Sequence, residues 1–563
     1  MSDLIAWALA VAAIGPAAAA LVWLGLSRWP RVAWAALGVS LVVSHAAAWA
    51  VFWFVYRGDE VVWRGLGPSL LGATLAAAAE IGVLLVLFRA PALAPRRLPT
   101  LVVGLCVGTS AIVYGSYVDS LLVMALFFPV TTLATAMAVL GDPERADPRG
   151  LLSLALADAA AVGGLTALEA RLGTTMLGPD PGATLAYGLA IGGAAVKAGA
   201  IPGLGAWRLT AAGGVPSLMA SAVRGQAMVL AGVVSLQVTM GREADPGALG
   251  AAGALLLVAA VGLAARRPDT ALATALGAGL GVALLALGLG GGVGARAFLV
   301  LAPAYLLAAG GAVLLGWEPP EDDRSSRERD RRPPPSVWRW VGAASVVVVL
   351  ASLIGIPPGA GFPGTWLALG LAGVRGLAEP FLLVAAAGAA VALAGSFLAS
   401  VPLVAAVRTR AIPAILGAAV ALALLYAGLQ PVRLGIGWWL RVEAELRLPE
   451  VLPAAGAPDL PPLGGGRALA GVILPAVVVV GLVLVLGRGL RDVRAEFVPP
   501  LGGGAEAAGK AWARVQPLLT RVRGIGRRAS AQGLGFGMAL VFEVVAVVMA
   551  ARLLLIGARS GFL

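Results

Sequence analysis

The sequence predicts an all-α polytopic membrane protein of about sixteen transmembrane helices, two of them discontinuous, with a C-terminal interfacial (lateral) helix as a further element. Three observations predict it. Of 563 residues, 60% are hydrophobic and only 12% charged, against about 25% charged in a soluble domain. The mean hydropathy is +0.92. The apolar residues fall in unbroken runs of about twenty, the length that spans hydrocarbon as a helix. Barrel strands would instead read as alternating stretches of about ten. Without water to satisfy N–H and C=O groups, only helices and closed barrels can span.

The runs lie at 4–26, 33–56, 69–88, 98–116, 118–140, 150–170, 182–213, 214–240, 248–265, 270–290, 294–316, 338–375, 380–403, 411–430, 467–487 and 534–557. Two are too long for one straight crossing. The first is interrupted at Ala200-Ile201-Pro202-Gly203 and the second at Gly355-Ile356-Pro357-Pro358-Gly359-Ala360-Gly361-Phe362. Each is expected to be one crossing built of two half-helices around Pro202, or around Pro357 and Pro358. Exposed backbone of that kind is tolerated only when buried in protein or lining a hydrated cavity.

Loop charge supports this count. With both termini outside, the cytoplasmic loops 27–32, 89–97, 141–149, 266–269, 317–337, 404–410 and 488–533 collect most of the loop arginines. Splitting either broken span into two crossings would put the later basic loops on the wrong side. The division expected is N-terminal helices over 1–116, a core with two broken helices over 117–430, an outer loop over 431–466, and a C-terminal region over 467–563. In that last region, 505–528 carries Lys510, Arg514, Arg521, Arg523, Arg527 and Arg528 among apolar residues. It reads either as an amphipathic helix on the cytoplasmic interface or as a solvated loop.

Composition also bounds the chemistry. The net charge of +12 is accounted for by loop arginines, so nucleic acid is not an expected partner; the lipid bilayer is. The single cysteine, Cys106, and single histidine, His45, exclude a disulfide within the chain and argue against a cysteine- or histidine-built metal site. No cofactor and no catalytic site are expected. The start Met1-Ser2-Asp3 lacks a basic region, so the first run reads as a retained span in a bacterial inner membrane protein.

Ionisable groups within spans are the functional pointers, since each costs about 2.5–3.5 kcal/mol at mid-membrane. They are Glu80, Asp119, Asp158, Glu169, Lys197, Arg224 and Glu543. Asp119 and Glu169 lie near span ends, where facing the headgroups is the plain alternative. Lys197 is the most informative, because the chain has 39 arginines and only two lysines, Lys197 and Lys510. Lysine loses its proton when desolvated, whereas arginine effectively does not. Lying five residues before Pro202, Lys197 suits a group that takes up and releases a proton; pairing with a carboxylate to hold helices together is the other reading. Arg224 could be a fixed countercharge to Asp158 or Glu80. His45 has no ionisable neighbour in sequence and reads as a satisfied core histidine.

These residues resemble a family. Lys197-Ala198-Gly199-Ala200-Ile201-Pro202, Trp207, Val215-Pro216-Ser217, Arg224 and Met228-Val229-Leu230-Ala231-Gly232 look like the signature of the antiporter-like subunits of respiratory complex I, membrane-bound hydrogenases and Mrp-type cation/proton antiporters. The stretch 355–362 resembles the family's second helix break, and Pro268 to Thr274 is a fainter echo of a further segment. Asp158 and Leu172-Gly173-Thr174-Thr175 fit its sixth helix and the turn after it. The resemblance covers about 100–490, and the tail is similar to the lateral-helix extension of the longest members.

The resemblance implies a membrane subunit of a multisubunit ion-translocating complex, with other membrane subunits and cytoplasmic redox subunits as partners. It implies a proton pathway centred on Lys197, with Asp158, Glu80, Arg224 and Asp119 around it. The chain departs from the family pattern at several positions. The fifth-helix glutamate aligns with Pro129, the eighth-helix histidine with Arg224, the later His-Ala…Lys element with Pro303-Ala304…Leu307, and the lysine after the second break with Thr365. Glu80 is a possible replacement for the missing glutamate. The departures leave open a non-pumping scaffold, or the proton-coupled membrane subunit of an inorganic-carbon uptake system. A stand-alone secondary transporter is a further class.

Overall fold

Helices make up the computed structural model, which describes residues 2–59, 61–62, 66–88, 98–118, 120–140, 147–172, 181–201, 203–212, 214–239, 271–288, 291–315, 337–355, 359–361, 364 and 411–429. The described helices are α1 (Ser2–Gly25), α2 (Pro30–Arg57), α3 (Leu70–Leu87), α4 (Leu98–Tyr117), α5 (Leu121–Leu140), α6 (Pro148–Leu172), α7 (Pro181–Ala198), α8 (Gly205–Ala212), α9 (Gly214–Thr239), α10 (Ala271–Gly288), α11 (Gly291–Leu314), α12 (Val337–Ile354) and α13 (Ala411–Leu429). Among the described residues there is no strand, only an isolated bridge between Leu66 and Val118. Among the described residues six helices, α1 to α6, are long and apolar enough to cross a bilayer, and shorter apolar helices run over Leu185–Ala198, Val300–Leu314, Trp340–Leu353 and Ala414–Tyr426. The chain is an integral membrane protein. The runs read at 248–265, 380–403, 467–487 and 534–557, the loop 431–466 and the basic stretch 505–528 lie outside the described residues.

Local chemistry sets the helix ends. Pro30 opens α2, where its missing N–H costs nothing. Gly58 closes the same helix in the left-handed region (φ 84°), its N–H reaching Val55 while that of Asp59 reaches Phe54. Ser69 caps α3, its Oγ accepting from the Gly72 N–H at 3.0 Å. Glu169 reaches across from α6 to the start of α5, accepting from Ser120 Oγ at 3.0 Å and the Leu121 N–H at 3.1 Å. Its charge therefore sits at the positive end of a helix and satisfies an orphan donor.

Helix α9 is the hub, packing against α3, α4, α5, α7, α8 and α11. Small residues allow the closest approaches. A Cβ on Gly193 would stand 2.6 Å from both Ala157 O and Ala161 N, and one on Gly164 would stand 2.3 Å from Ala190 N. The α6 and α7 backbones are thus in contact along their length, as glycine permits between membrane helices. Gly82 and Gly310 do the same for α3 and α11, where a Cβ on Gly310 would lie 2.6 Å from Gly82 O.

Candidate functional site: the buried lysine at the end of α7

Helix α7 ends one residue after Lys197. Gly199, at φ +87°, donates to Val196 O at 3.0 Å, and the Ala200 N–H reaches Ala195 O at 2.9 Å. These two bonds form a glycine-terminated Schellman cap. Lys197 therefore occupies the last turn, where the negative end of the helix dipole favours a cation. The chain turns and re-enters helix at Gly205, whose N–H is received by Ser153 Oγ of α6 at 2.8 Å. Gly205, at φ +54°, lies so close to α7 that a Cβ would stand 2.1 Å from Val196 O. Pro202 lies outside the described residues; α7 and α8 are separated by 199–204.

The Lys197 side chain is fully buried, as is that of Asp158 on α6. The ammonium donates to Asp158 Oδ1 at 2.6 Å and to the carbonyl oxygen of Phe128 on α5. It also stands 4.1 Å from the centroid of the Phe128 ring, on its face. Three helices thus converge on one cation. The pairing follows from the close helix approach: Gly193 is one turn before Lys197, and Ala157 and Ala161 flank Asp158. Where the resemblance places a glutamate, Pro129 stands in the turn that follows the accepting carbonyl. In this chain the acid comes from α6 and a backbone carbonyl from α5.

Two further polar groups come from α9. Gln226 Nε2 donates to Phe127 O, the carbonyl next to the one that Lys197 uses. Arg224 is 2% exposed. Its Nη2 donates to Ala206 O at 3.1 Å and to Thr210 Oγ1, both on α8. Among the described residues Arg224 forms no ion pair, and its Nη1 has no hydrogen-bond partner. It ties the short helix α8 to the hub.

Glu80 on α3 is also fully buried, but its partners lie elsewhere. Ser44 Oγ reaches Glu80 Oε1 at 3.3 Å and His45 Nδ1 lies 3.2 Å from Oε2, both from α2. Thus Lys197 and Asp158 come together, Arg224 engages α8, and Glu80 engages His45. Asp119, Pro357 and Pro358 lie outside the described residues. After α12, Ser352 Oγ accepts from the Ala360 N–H at 3.1 Å, which folds the chain back onto the helix end. The lone histidine had no sequence signal because its carboxylate is on another helix. Gln226, two residues after Arg224, was legible as a polar residue in an apolar run. The Phe128 carbonyl carries no sequence signal beyond the proline that follows it.

A buried ammonium–carboxylate pair has one defined chemical option. A single proton moving from Lys197 to Asp158 cancels both charges, which a low dielectric favours. A proton or positive charge arriving or leaving nearby would bias that exchange. Among the described residues no group of three or more His, Cys, Asp or Glu side chains could hold a metal ion.

No protein-family model matches the sequence, and no curated protein matches it. Solved structures do match. A chain of the Mrp complex from Dietzia sp. DQ12-45-1b superposes with a TM-score of 0.64 at 19% identity, covering 97% of this chain and 63% of that one. This chain therefore spans less than two thirds of that Mrp chain. A chain of respiratory complex I from Thermus thermophilus, with bound NADH, gives 0.55 at 19% identity, covering 78% of this chain and 99% of that chain. The membrane-bound sulfane sulfur reductase, an archaeal respiratory membrane complex, gives 0.58 at 17% identity over 92% and 99%. The fold is shared with chains of these complexes, as the sequence motifs around Lys197 implied.

Proposed function

We propose that the chain is a membrane subunit of a multisubunit ion-translocating complex, contributing a diverged proton pathway centred on Lys197. The observation that carries this reading is the fully buried Lys197–Asp158 pair at the capped end of α7, in a fold shared with chains of an Mrp complex and of complex I. In this reading 182–213 is one discontinuous crossing, with α7 and α8 as its halves, and 338–375 is a second. The partners are other membrane subunits and cytoplasmic redox subunits. The setting is a bacterial cytoplasmic membrane with both termini outside.

Lys197 holds a proton against Asp158 and releases it when an approaching charge lowers the ammonium's stability. Arg224, always charged, acts as a fixed positive group on α9. The test is proton flux in the assembled complex. Lys197→Ala should abolish flux, and Lys197→Arg should abolish it too while keeping the charge and the assembly intact. Undiminished flux in both variants would end this reading.

A non-pumping scaffold is the second reading, and one observation favours it. Helices α10 to α13 contain no Asp, Glu, Lys or His. A relay continuing through that half would depend on water or on other residues.

A further inference from the structure

Trp49 settles the tautomer of His45. Its indole Nε1 donates to His45 Nε2 at 2.8 Å, and an indole nitrogen can only donate. Nε2 must therefore be the bare, accepting nitrogen, and the ring proton lies on Nδ1. Nδ1 faces Glu80 Oε2 at 3.2 Å, so His45 is a neutral donor to a carboxylate. On the other oxygen, Ser44 Oγ stands 3.3 Å from Oε1 and 3.2 Å from Val11 O. A hydroxyl has one proton and can accept as well as donate. It can donate to Oε1 when Glu80 is ionised and equally when Oε2 carries the proton, since Oε1 is then the carbonyl oxygen, with Val11 O as its other acceptor. Both charge states of Glu80 are satisfied with no change of fold. Gly15 of α1 leaves the room, since a Cβ there would lie 2.9 Å from Ser44 Oγ.

We propose that Glu80 is a second proton-binding site, separate from Lys197, loaded through His45 from the outer flank of α2 and latched by Trp49. His45 is 23% exposed and Glu80 is fully buried, so the imidazole is the carboxylate's way out. Loading is a balanced relay. Trp49 releases Nε2; a proton from a protic donor on the flank bonds to Nε2; the Nδ1–H bond breaks and its proton passes to Glu80 Oε2. His45 ends neutral with its proton on Nε2, and discharge is the reverse. His45 lies twelve residues before Arg57, the end of α2, or roughly 18 Å along the helix. A proton donor at that depth is one that an adjoining subunit or its trapped water supplies.

The titratable neighbours are few. Tyr117 of α4, like Glu80, is fully buried. Arg224 of α9 and Tyr305 of α11 are buried as well, and Arg224 is tied to α8. Helix α1 carries only Asp3, in its first turn. The site does not rest on the Lys197 reading.

The experiment is a pH jump on the assembled complex, followed by infrared detection of the protonated carboxyl assigned to Glu80 by its loss in Glu80→Gln. Trp49→Phe, which keeps the ring and removes the latch, should load Glu80 about three- to ten-fold faster, the worth of one hydrogen bond. His45→Asn keeps a donor towards Oε2 but cannot relay, and should slow loading by about 100-fold. Asp158→Asn should leave the Glu80 signal unchanged, which separates this site from the Lys197 pair. Wild-type rates in both Trp49→Phe and His45→Asn, or a carboxyl signal that Glu80→Gln leaves the same as in the wild type, would overturn the proposal. Should Glu80→Gln fail to assemble, Glu80→Asp, which shifts the band, makes the assignment.

Discussion

Lys197 and Asp158 are each tolerable in the membrane because of the other. Removing one leaves an uncompensated buried charge, which in protein interiors costs about 3–5 kcal/mol. Lys197→Met and Asp158→Leu are each expected to lower stability by that order, and the double variant by clearly less than their sum. Unfolding of the purified protein in detergent, compared across the cycle, measures this; strict additivity would show that the pair is not coupled. Glu169 works at lower stakes. Glu169→Ala removes the acceptor for Ser120 and for the Leu121 N–H. The loss expected is about 1 kcal/mol, as for other helix caps, while proton movement persists because Glu169 touches neither Lys197 nor Glu80. At this scale, residue type was readable and partner was not. Lys197 stood out as one of two lysines, but its acid, 39 positions earlier, was one of several candidates. Glu80 looked equally suited to it and instead meets the histidine.

Helix approach sets what the residues can reach. The α6–α7 contact at Gly193, with no room for a Cβ beside Ala157 O and Ala161 N, brings Asp158 and Lys197 within hydrogen-bond range. Gly193→Ala should push the helices apart at an overpacking cost of about 1–3 kcal/mol and reduce proton movement together with stability. The same substitution at Gly192, where a Cβ meets nothing within 4 Å, should be near neutral. Flux and melting measured on the two variants decide between a geometric role for Gly193 and a general effect of alanine. The turn after α7 is glycine-dependent for another reason: Gly199 at φ +87° closes the helix cap and lies against Trp207. The sequence put the interruption at Ala200-Ile201-Pro202-Gly203, and α7 ends just before it, at Ala198. It did not show that Ser153 of α6 receives the first N–H of α8.

Among the described helices, the intramembrane acids, the lysine and the histidine all lie in the first half of the chain. Lys197, Asp158, Arg224, Glu80 and His45 belong to α2, α3, α6, α7 and α9, while α10 to α13 contribute no acid, lysine or histidine. Any charge movement inside the described part is therefore expected in the first half. Outward-facing apolar side chains such as Trp7, Val39, Val42, Trp49 and Trp53 on α1 and α2 need lipid or a neighbouring subunit as their solvent. The lone chain in liposomes is expected to move no protons, whereas the assembly from native membranes does. Flux through the purified single chain would instead mark a stand-alone transporter.

Composition and run length by themselves determined that this chain is helical and lives in lipid, because hydrocarbon leaves the backbone no other way to pair its N–H and C=O groups. The position of Lys197 before a helix end was equally a property of the sequence, since glycine and proline act on their own turn. Tertiary structure alone decided which charges meet. Burial makes a partner obligatory, but helix packing chooses it, through glycines that let α6 touch α7 and α1 touch α2. For that reason Asp158, and not Glu80, neutralises the lysine, and the one histidine has a carboxylate to serve.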